Sequence, residues 1–443
     1  MGMTRRQFLG SSGAAVVAGA MARNTAFGAN DRVNIAMIGC GFRGRMVTGG
    51  LMSEGAQLTY LCDLRQDRMD DAWAFLSHEQ ETAPKMTKDM NEVFASDEVD
   101  AVVVSTPDHW HALPTIRACQ AGKDVFVEKI HSHNIFESMK VAEAAMKHGR
   151  IVQVGTQCRS AEYVMAARDR IAEGALGDVA LVKVYNAKSG GAFHLGEPED
   201  PPEGFDWNTW VGRTPKEWPY YDSVFRHGYH HFWDFNGGDM AGDGIHQIDM
   251  ALMLLGDPGL PKSVRCIGGR FVYGDDDSER PDVQVATWEF DNCVVSFDLT
   301  GYPAYMRKTD GSTREGDNFP DWATNATRIE LYGSNGLMYA GRHGGGWVIH
   351  EEGGEPVESM AGRVPDIPHA QNFLECIRTR EQPTANPFVA HPSNVMVHMA
   401  NIAHRMGNIS LNFDSETQRF NSTEANTYID PPSRDEFRVP RVV

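Results

Sequence analysis

A glycine-rich turn near the start of the sequence contains the residues best suited to bind a phosphate group: Gly39, Cys40, Gly41, Phe42, Arg43 and Gly44. An apolar run precedes the turn, a helix-compatible stretch follows it, and Asp63 closes the next apolar run nineteen residues past Gly44. Such glycines let backbone N–H groups approach a pyrophosphate at a helix N-terminus, while the acid hydrogen-bonds ribose hydroxyls. The pattern predicts a dinucleotide site with NAD as the favoured cofactor. Arg65 and Arg68 could each neutralise a 2'-phosphate, so NADP is the less favoured alternative.

Six residues that follow two of the later apolar runs, all of them polar except Pro107, are candidate cofactor contacts: Thr106, Pro107, His109, His111, Glu128 and Lys129. Ligands of doubly wound folds bind at the carboxyl edge of the parallel sheet, where these runs would end. A lysine is costly to bury there unless it has a charge partner or a chemical task. Lys129 is therefore either a site residue or a solvated loop residue.

His246 and Asp249 lie three residues apart on a stretch that follows the glycine-rich segment 237–244 and runs to Gly256. Residues at this spacing share one face of a helix. Without other evidence the pair fits a core histidine satisfied by its neighbour at least as well as it fits an acid/base pair.

Hydrophobic patterning predicts the elements that position these residues. Apolar runs alternate with helical patterns over 33–155, which indicates a parallel sheet, and strand-like runs after Val179 indicate an antiparallel one. We expect an α/β fold, with a doubly wound Rossmann domain over 30–155 and a C-terminal α+β domain with a large, mainly antiparallel open sheet over 156–443. Helices predicted over 369–379 and 394–406 are expected to pack back against one of the sheets, the Rossmann domain included.

The segment 190–237 is rich in aromatic residues, proline and histidine, and is too long for an idle loop. We expect it to form a wall or lid over the site. Candidate substrate contacts are Tyr229, His230, Trp233 and, outside this segment, Arg159. His227 and His230 are spaced as metal ligands, but no partnering carboxylate is fixed by the sequence, so no metal is expected.

The bulk composition narrows the function classes. The 443 residues are long enough for two domains, and a net charge of −19 argues against nucleic acid or an anionic membrane as partner. A neutral or weakly charged small-molecule substrate suits this charge better. The seven cysteines are scattered and lack a C-x-x-C pair, so neither a disulfide framework nor a zinc site is expected.

Arg5 and Arg6 precede a short apolar, small-residue stretch over 9–22, the layout of a twin-arginine export signal. We expect a signal over 1–29, export of the folded protein by the twin-arginine machinery, and a periplasmic or secreted location. An uncleaved anchor or a chance arginine pair is the alternative.

Together these motifs resemble the Gfo/Idh/MocA oxidoreductases, relatives of glucose-fructose oxidoreductase and inositol dehydrogenase. The resemblance covers the glycine turn, Asp63, residues 106–111, Glu128-Lys129, the segment 153–157 with Gln157 as a cofactor contact, and His246-x-x-Asp249. Residues 205–212 and the export signal are similar to those of a secreted subgroup of this family that is common in sugar-degrading bacteria.

The resemblance implies that Lys129 contacts the reacting hydroxyl and the nicotinamide region, and that His246 is the acid/base. Alcohol oxidation needs a base for the hydroxyl proton, and an ammonium stabilises the developing alkoxide. The sequence departs from the family at Ile130, which replaces a proline and makes a cis bond costly. It also has Gly242 four residues before the histidine, where relatives often carry an aspartate. Either Asp243 or Asp249 would then orient the histidine, or the site is altered.

We therefore expect a tightly bound NAD and hydride transfer at a secondary hydroxyl of a sugar, glycoside or cyclitol. A redox-neutral glycosidase, which oxidises C3, eliminates the aglycone and returns the hydride, needs the same residues. A non-catalytic sugar- or nucleotide-binding relative is the other alternative, weakened by the presence of both Lys129 and His246. An open sheet face favours a homodimer or homotetramer.

Overall fold

The computed structural model describes residues 32–302 and 305–443, so the predicted export signal lies outside the described residues. The N-terminal half contains a six-stranded parallel sheet in the order β3-β2-β1-β4-β5-β6. Its strands are β1 Asn34–Ile38, β2 Gln57–Cys62, β3 Lys85–Thr87, β4 Ala101–Val104, β5 Asp124–Val127 and β6 Val152–Val154. This confirms the predicted parallel sheet. The sequence pattern does not predict β3, because three residues beginning with an exposed lysine form no apolar run.

Helices cover this sheet on both faces: α1 Phe42–Ser53, α2 Gln66–Leu76, α3 Met90–Ala95, α4 Ala112–Gln120 and α5 Ile135–Lys147. The strand order reverses between β1 and β4, which are neighbours in the sheet. A crevice opens at the carboxyl ends of such a strand pair, where doubly wound folds bind their ligands.

The second half contains a ten-stranded sheet in the order β14-β13-β12-β11-β7-β10-β9-β8-β15-β16. Its strands are β7 Val179–Ala187, β8 Ser263–Gly269, β9 Val283–Glu289, β10 Val294–Thr300, β11 Arg328–Gly333, β12 Leu337–Gly341, β13 Trp347–His350, β14 Pro356–Met360, β15 Ser410–Asp414 and β16 Arg419–Phe420. The expected large, mainly antiparallel sheet is confirmed, with one exception. The neighbouring strands β7 and β10 run parallel, because the segment 188–293 between them brings the chain back to the same end of the sheet.

The helices of the second half are α6 Glu162–Ala172, α7 Trp207–Val211, α8 Asp222–Arg226, α9 Ile245–Leu254, α10 Gly311–Glu315, α11 Asp366–Thr379, α12 Pro387–Arg405 and α13 Thr423–Thr427. Of these, α9 packs on β7 and β11, and α12 packs on β8 and β9. Every residue of α9 is buried, and one π-helical turn, Met240–Gly244, leads directly into it. Such turns are often found at functional sites. Short 3-10 turns lie at Asp108–Trp110, Gln157–Ser160, Gly228–His231 and Asp435–Phe437.

The last long helices connect the two sheets. α11 packs on α1, and α12 packs on both α5 and β8. The C-terminal part of the chain therefore braces the N-terminal sheet. Within the described ranges, no helix is both long and apolar enough to cross a membrane.

Candidate active site

A cavity of about 700 Å³ lies at the carboxyl ends of β1, β4 and β5 and is walled by residues from both halves of the chain. The segment 205–230 supplies one wall, through Trp210, Phe225 and Tyr229 among others. The following residues named in the sequence analysis line the cavity: Gly39, Gly41, Phe42, Arg43, Asp63, Thr106, Pro107, His111, Glu128, Lys129, Gln157, Tyr229, His230, Asp243 and His246.

The glycine turn has the shape that a pyrophosphate needs. A Cβ at Gly39 would lie 2.7 Å from the backbone of Ser105, and a Cβ at Gly44 would lie 2.4 Å from Gly39 O. Those two glycines allow close packing of the turn. Gly41, the N-cap of α1, has no atom within 4 Å of a Cβ position, and no side chain caps the helix. The open helix N-terminus at the cavity wall can hold an anion.

Asp63 holds the turn in place. Its Oδ2 accepts from Cys40 N at 2.8 Å and its Oδ1 accepts from Arg65 N at 3.0 Å, while the residue also lines the cavity. Burial raises the pKa of this carboxyl, against the lowering effect of the two hydrogen bonds. The Arg65 side chain pairs with Asp67, whereas Arg68 lines the cavity.

Glu128 and Lys129 follow β5, as expected. Arg43 Nε donates to Glu128 Oε1 at 2.8 Å; burial alone would raise the pKa of this buried carboxyl, but Arg43 and Lys129 lower it. The Lys129 ammonium makes no hydrogen bond or ion pair with any described residue, although the side chain is half-buried at the cavity wall. The peptide bond between Lys129 and Ile130 is cis.

His246 lies in the first turn of α9, buried and at the cavity wall. Burial lowers the pKa of His246 well below its usual value, and the charges of Arg342 and Lys129 lower it further. The imidazole is therefore neutral near pH 7 and able to accept a proton. Asp243 also lines the cavity, but Lys308 Nζ donates to its Oδ2 at 2.5 Å.

Asp249 and Arg159 do not reach the cavity, which corrects the expectation that they act in catalysis and substrate binding. Asp249 Oδ2 accepts from Arg159 Nε at 2.8 Å, and Asp249 Oδ1 accepts from Ser393 Oγ at 2.9 Å. Asp249 is fully buried and lies three residues, a helical rise of about 4.5 Å, beyond His246. This ion pair links α9 to the segment 157–160 and to α12, so its role is structural.

His109 and Trp233 are also placed away from the cavity, which corrects two further expected contacts. His109 Nε2 donates to Trp210 O at 2.9 Å in an aromatic cluster, where burial lowers the pKa of His109 to about 3. Trp233 lines a separate cavity of about 200 Å³, with the Arg405 guanidinium 5.3 Å from its ring centre. Cys40 and Gly44, which were also expected to contact the cofactor, are buried and do not line the cavity.

The structure adds cavity residues that the sequence analysis missed, above all Arg314, Arg342 and His343. Arg314 lies in the short helix α10, Arg342 and His343 follow β12, and no motif marks any of them. The one available signal was the glycine run 344–346, whose three residues all have positive φ. Such a run indicates a tight backbone turn, here the one that follows Arg342 and His343.

Residues 33–156 match a family model described as an oxidoreductase family with NAD-binding Rossmann fold, and residues 351–439 match that of the family's C-terminal alpha/beta domain. Both matches define an oxidoreductase with a nucleotide-binding half and a separate α/β half. The chain belongs to the Gfo/Idh/MocA family.

Curated relatives share about a quarter of their residues with this chain. An uncharacterised oxidoreductase of Streptococcus pneumoniae is 24% identical over 323 residues, 72% of this chain and 74% of the relative. A glycosyl hydrolase family 109 protein of Stenotrophomonas maltophilia is 24% identical over 225 residues, 49% of this chain and 48% of the relative. Inositol 2-dehydrogenase of Rubrobacter xylanophilus is 28% identical over 162 residues, 36% and 45% of the two chains. The match thus spans three quarters of the first relative and about half of the other two.

Solved structures share the fold. A levoglucosan dehydrogenase in complex with NADH superposes with a TM-score of 0.63 at 15% identity, over 86% of this chain and 99% of that one. An aldose-aldose oxidoreductase of Caulobacter crescentus, complexed with glycerol, gives a TM-score of 0.62 at 17% identity, over 86% and 100%. At these identities the likeness establishes the architecture.

Proposed function

We propose that the protein is a nicotinamide-dependent oxidoreductase that acts on a secondary hydroxyl of a sugar, glycoside or cyclitol. One observation carries the proposal: an unpaired ammonium, Lys129, and a neutral imidazole, His246, line the same cavity as an open glycine turn. Family membership and the sugar dehydrogenases among the similar proteins support it.

The donor set fits a dinucleotide. Gly41 leaves open space at the N-terminus of α1, where backbone N–H groups hold a pyrophosphate. The Asp63 carboxylate, fixed by the Cys40 and Arg65 N–H groups, is placed to accept from ribose hydroxyls. When bound there, a nicotinamide supplies the hydride acceptor or donor.

The chain's own residues handle the proton. Neutral His246 accepts the proton of the substrate hydroxyl, and the Lys129 ammonium stabilises the negative charge that develops on the oxygen. In the reverse direction His246, once protonated, returns the proton. Tyr229 and His230, whose ring centres lie 4.0 Å apart, form part of the cavity wall.

NAD is the proposed form of the cofactor. A carboxylate at the ribose position, here Asp63, repels a 2'-phosphate. Of the two arginines that follow Asp63, Arg65 is engaged by Asp67, and Arg68 lines the cavity, where it would favour NADP.

A redox-neutral glycosidase is the second candidate, favoured by the glycosyl hydrolase family 109 relative. It would use Lys129 and His246 in the same way, with an elimination step between two hydride transfers. One experiment separates the two functions. The purified protein is analysed for bound nucleotide and then supplied with glycosides and free sugars, with and without an electron acceptor. A ketone product supports the oxidoreductase, and a released aglycone without net reduction supports the glycosidase. If protein loaded with NAD or NADP gives neither product, both functions are rejected.

We further propose that the protein is exported by the twin-arginine pathway with its cofactor already bound. The support is the Arg5-Arg6 pair and the apolar stretch behind it. Because free NAD is scarce outside the cytoplasm, an exported enzyme of this kind retains its cofactor.

Self-association through the outer face of the large sheet is also proposed. Ile267 and Val285 are paired across β8 and β9 and are 49% and 40% exposed, so this face carries apolar side chains into solvent. Light scattering of the purified protein, compared with Val285→Glu, tests the proposal.

A further inference from the structure

Cations outnumber available carboxylates at the end of the cavity that holds His246. The charges of Arg342, Lys129 and Asp243 all act on His246, and Arg314 lines the same cavity. Asp243 is already paired with Lys308 Nζ at 2.5 Å. The protein as a whole carries a net charge of −19, so this local excess of positive charge is opposite to the overall balance.

The other cavity acids are engaged elsewhere. Glu128 and Asp366 both pair with Arg43, at 2.8 Å and 3.4 Å. Asp63 accepts from the backbone of the glycine turn. Asp108 accepts from Asn236 Nδ2 at 2.6 Å. None of these carboxylates forms an ion pair with Arg342.

Arg342 is half-buried and lines the cavity, and across residues 32–302 and 305–443 its guanidinium has no hydrogen bond or ion pair. Its charge acts on Asp243 without forming an ion pair, and Asp243 is already paired with Lys308, so Arg342 has no carboxylate of its own. A partly desolvated cation in this position is unfavourable unless a ligand supplies negative charge. Burial lowers the pKa of neighbouring Lys308, against the effect of Asp243. The whole cluster is thus short of negative charge.

The backbone holds Arg342 in a defined position. It follows the last residue of β12, and its carbonyl oxygen accepts from Cys158 Sγ at 3.3 Å. The turn behind it is tight, because a Cβ at Gly346 would lie 1.8 Å from Met360 O. A rigidly placed binding group gives specificity that a mobile surface arginine does not. Gly242, on the same cavity wall, leaves open space where a side chain would lie.

We propose that the substrate is an acidic sugar whose carboxylate binds Arg342, with Arg314 beside it, while its reacting hydroxyl lies against Lys129 and His246. This inference rests on the proposed function and replaces the expectation of a neutral or weakly charged substrate. The planar guanidinium presents paired N–H donors that match the two oxygens of a carboxylate. A uronate or an aldonate satisfies these requirements.

The test compares substrates that differ only in charge. The NAD-loaded full-length protein is assayed with glucuronate and galacturonate, with glucose and galactose, and with glucose 6-phosphate. We expect kcat/KM for a uronate to exceed that for its neutral sugar roughly 10- to 100-fold, the range of a charged hydrogen-bonded pair. Arg342→Gln should abolish most of that preference, and Arg342→Lys should keep part of it. Arg363→Gln, a matched control at an arginine that is 62% exposed, should leave the preference intact.

Binding measurements separate this inference from the proposed function. Titration calorimetry of glucuronate into the NAD-loaded protein reports binding whether or not turnover occurs. Arg342-dependent binding without any turnover would keep the inference and reject the oxidoreductase. Equal kcat/KM for charged and neutral sugars, or a preference for the sugar phosphate, would overturn the acidic-sugar proposal and leave the oxidoreductase standing.

Discussion

Lys308 Nζ lies 2.5 Å from Asp243 Oδ2, so the carboxylate three residues before His246 forms an ion pair with a lysine from a distant loop. Asp243 makes no hydrogen bond with His246 anywhere in the described structure. Arg342 and Lys308 hold the pKa of Asp243 well below its usual range even though burial opposes them. The acid therefore remains charged and partly offsets the cations around the histidine.

Lys129→Ala and His246→Ala should each reduce turnover by about a hundred- to ten-thousandfold, the contribution typical of a positioned acid or base. Bound nucleotide should persist, because the glycine turn and Asp63 are untouched. Steady-state kinetics and the nucleotide content of the purified variants measure both effects. Lys85→Ala and His78→Ala change exposed residues and serve as matched controls. Near-native activity in either site variant would remove that residue from the mechanism.

Asp249→Asn should mainly lower the stability of the fold, whereas Asp243→Asn should mainly alter the activity. Asp249 is fully buried against Arg159, so its replacement should cost on the order of 3 kcal/mol of unfolding free energy. Asp243→Asn should mainly alter kcat/KM, because it changes the charge beside His246. Urea unfolding and kinetics report the two quantities. Asp257→Asn, which removes the more exposed partner of Arg159, should destabilise less than Asp249→Asn; an equal loss would contradict the structural role of Asp249.

Asp63→Ala should weaken NAD binding more than NADP binding, by about ten- to a hundredfold for a lost charged hydrogen bond. Fluorescence titration of both nucleotides measures the ratio. Arg68→Ala should weaken NADP alone, and Arg65→Ala, at the arginine held by Asp67, is the control. Equal losses of both nucleotides in Asp63→Ala would mean that the acid does not meet the ribose.

Low pH should destabilise the fold, because several buried histidines resist protonation in the folded state. Burial lowers the pKa of His369, His391 and His398 to about 4, compared with about 6.5 in an unfolded chain. Between these values the unfolded chain binds protons that the folded chain does not, so stability is complete above about pH 6.5 and is lost as the pH falls toward about 4. Urea midpoints across this range measure the loss. His398→Asn should flatten the curve; an unchanged slope would exclude that residue.

Replacing Arg5 and Arg6 by lysines should stop export if the twin-arginine pathway is used. Fractionation of a native-like host follows the mature protein. Normal export of the double variant would reject the pathway, and with it the argument that the cofactor must be retained.

The sequence was sufficient to predict those candidate site residues whose position depends on local chain geometry. The glycine turn, Asp63 and Glu128-Lys129 are local signals, and the structure places them at one sheet edge as predicted. Arg342 could not be found in this way, because its position depends on strand order in the second sheet and on a loop packed against Cys158. The prediction that Arg159 contacts the substrate failed for a related reason. The sequence shows that a charged residue follows β6, but it does not show that the buried Asp249 binds this residue.

The edge strand β6 has a consequence for how the protein is made. Val154 N donates to Ala385 O, and His369 Nε2 donates to Val154 O at 3.1 Å, so residues from near the end of the chain cover the open edge of the first sheet. Asp366 likewise reaches back across 323 residues to Arg43 beside the glycine turn. An exposed sheet edge invites pairing with other chains. The nucleotide site is thus completed only near the end of synthesis, and a chain released before residue 385 would leave the ribosome with an aggregation-prone edge.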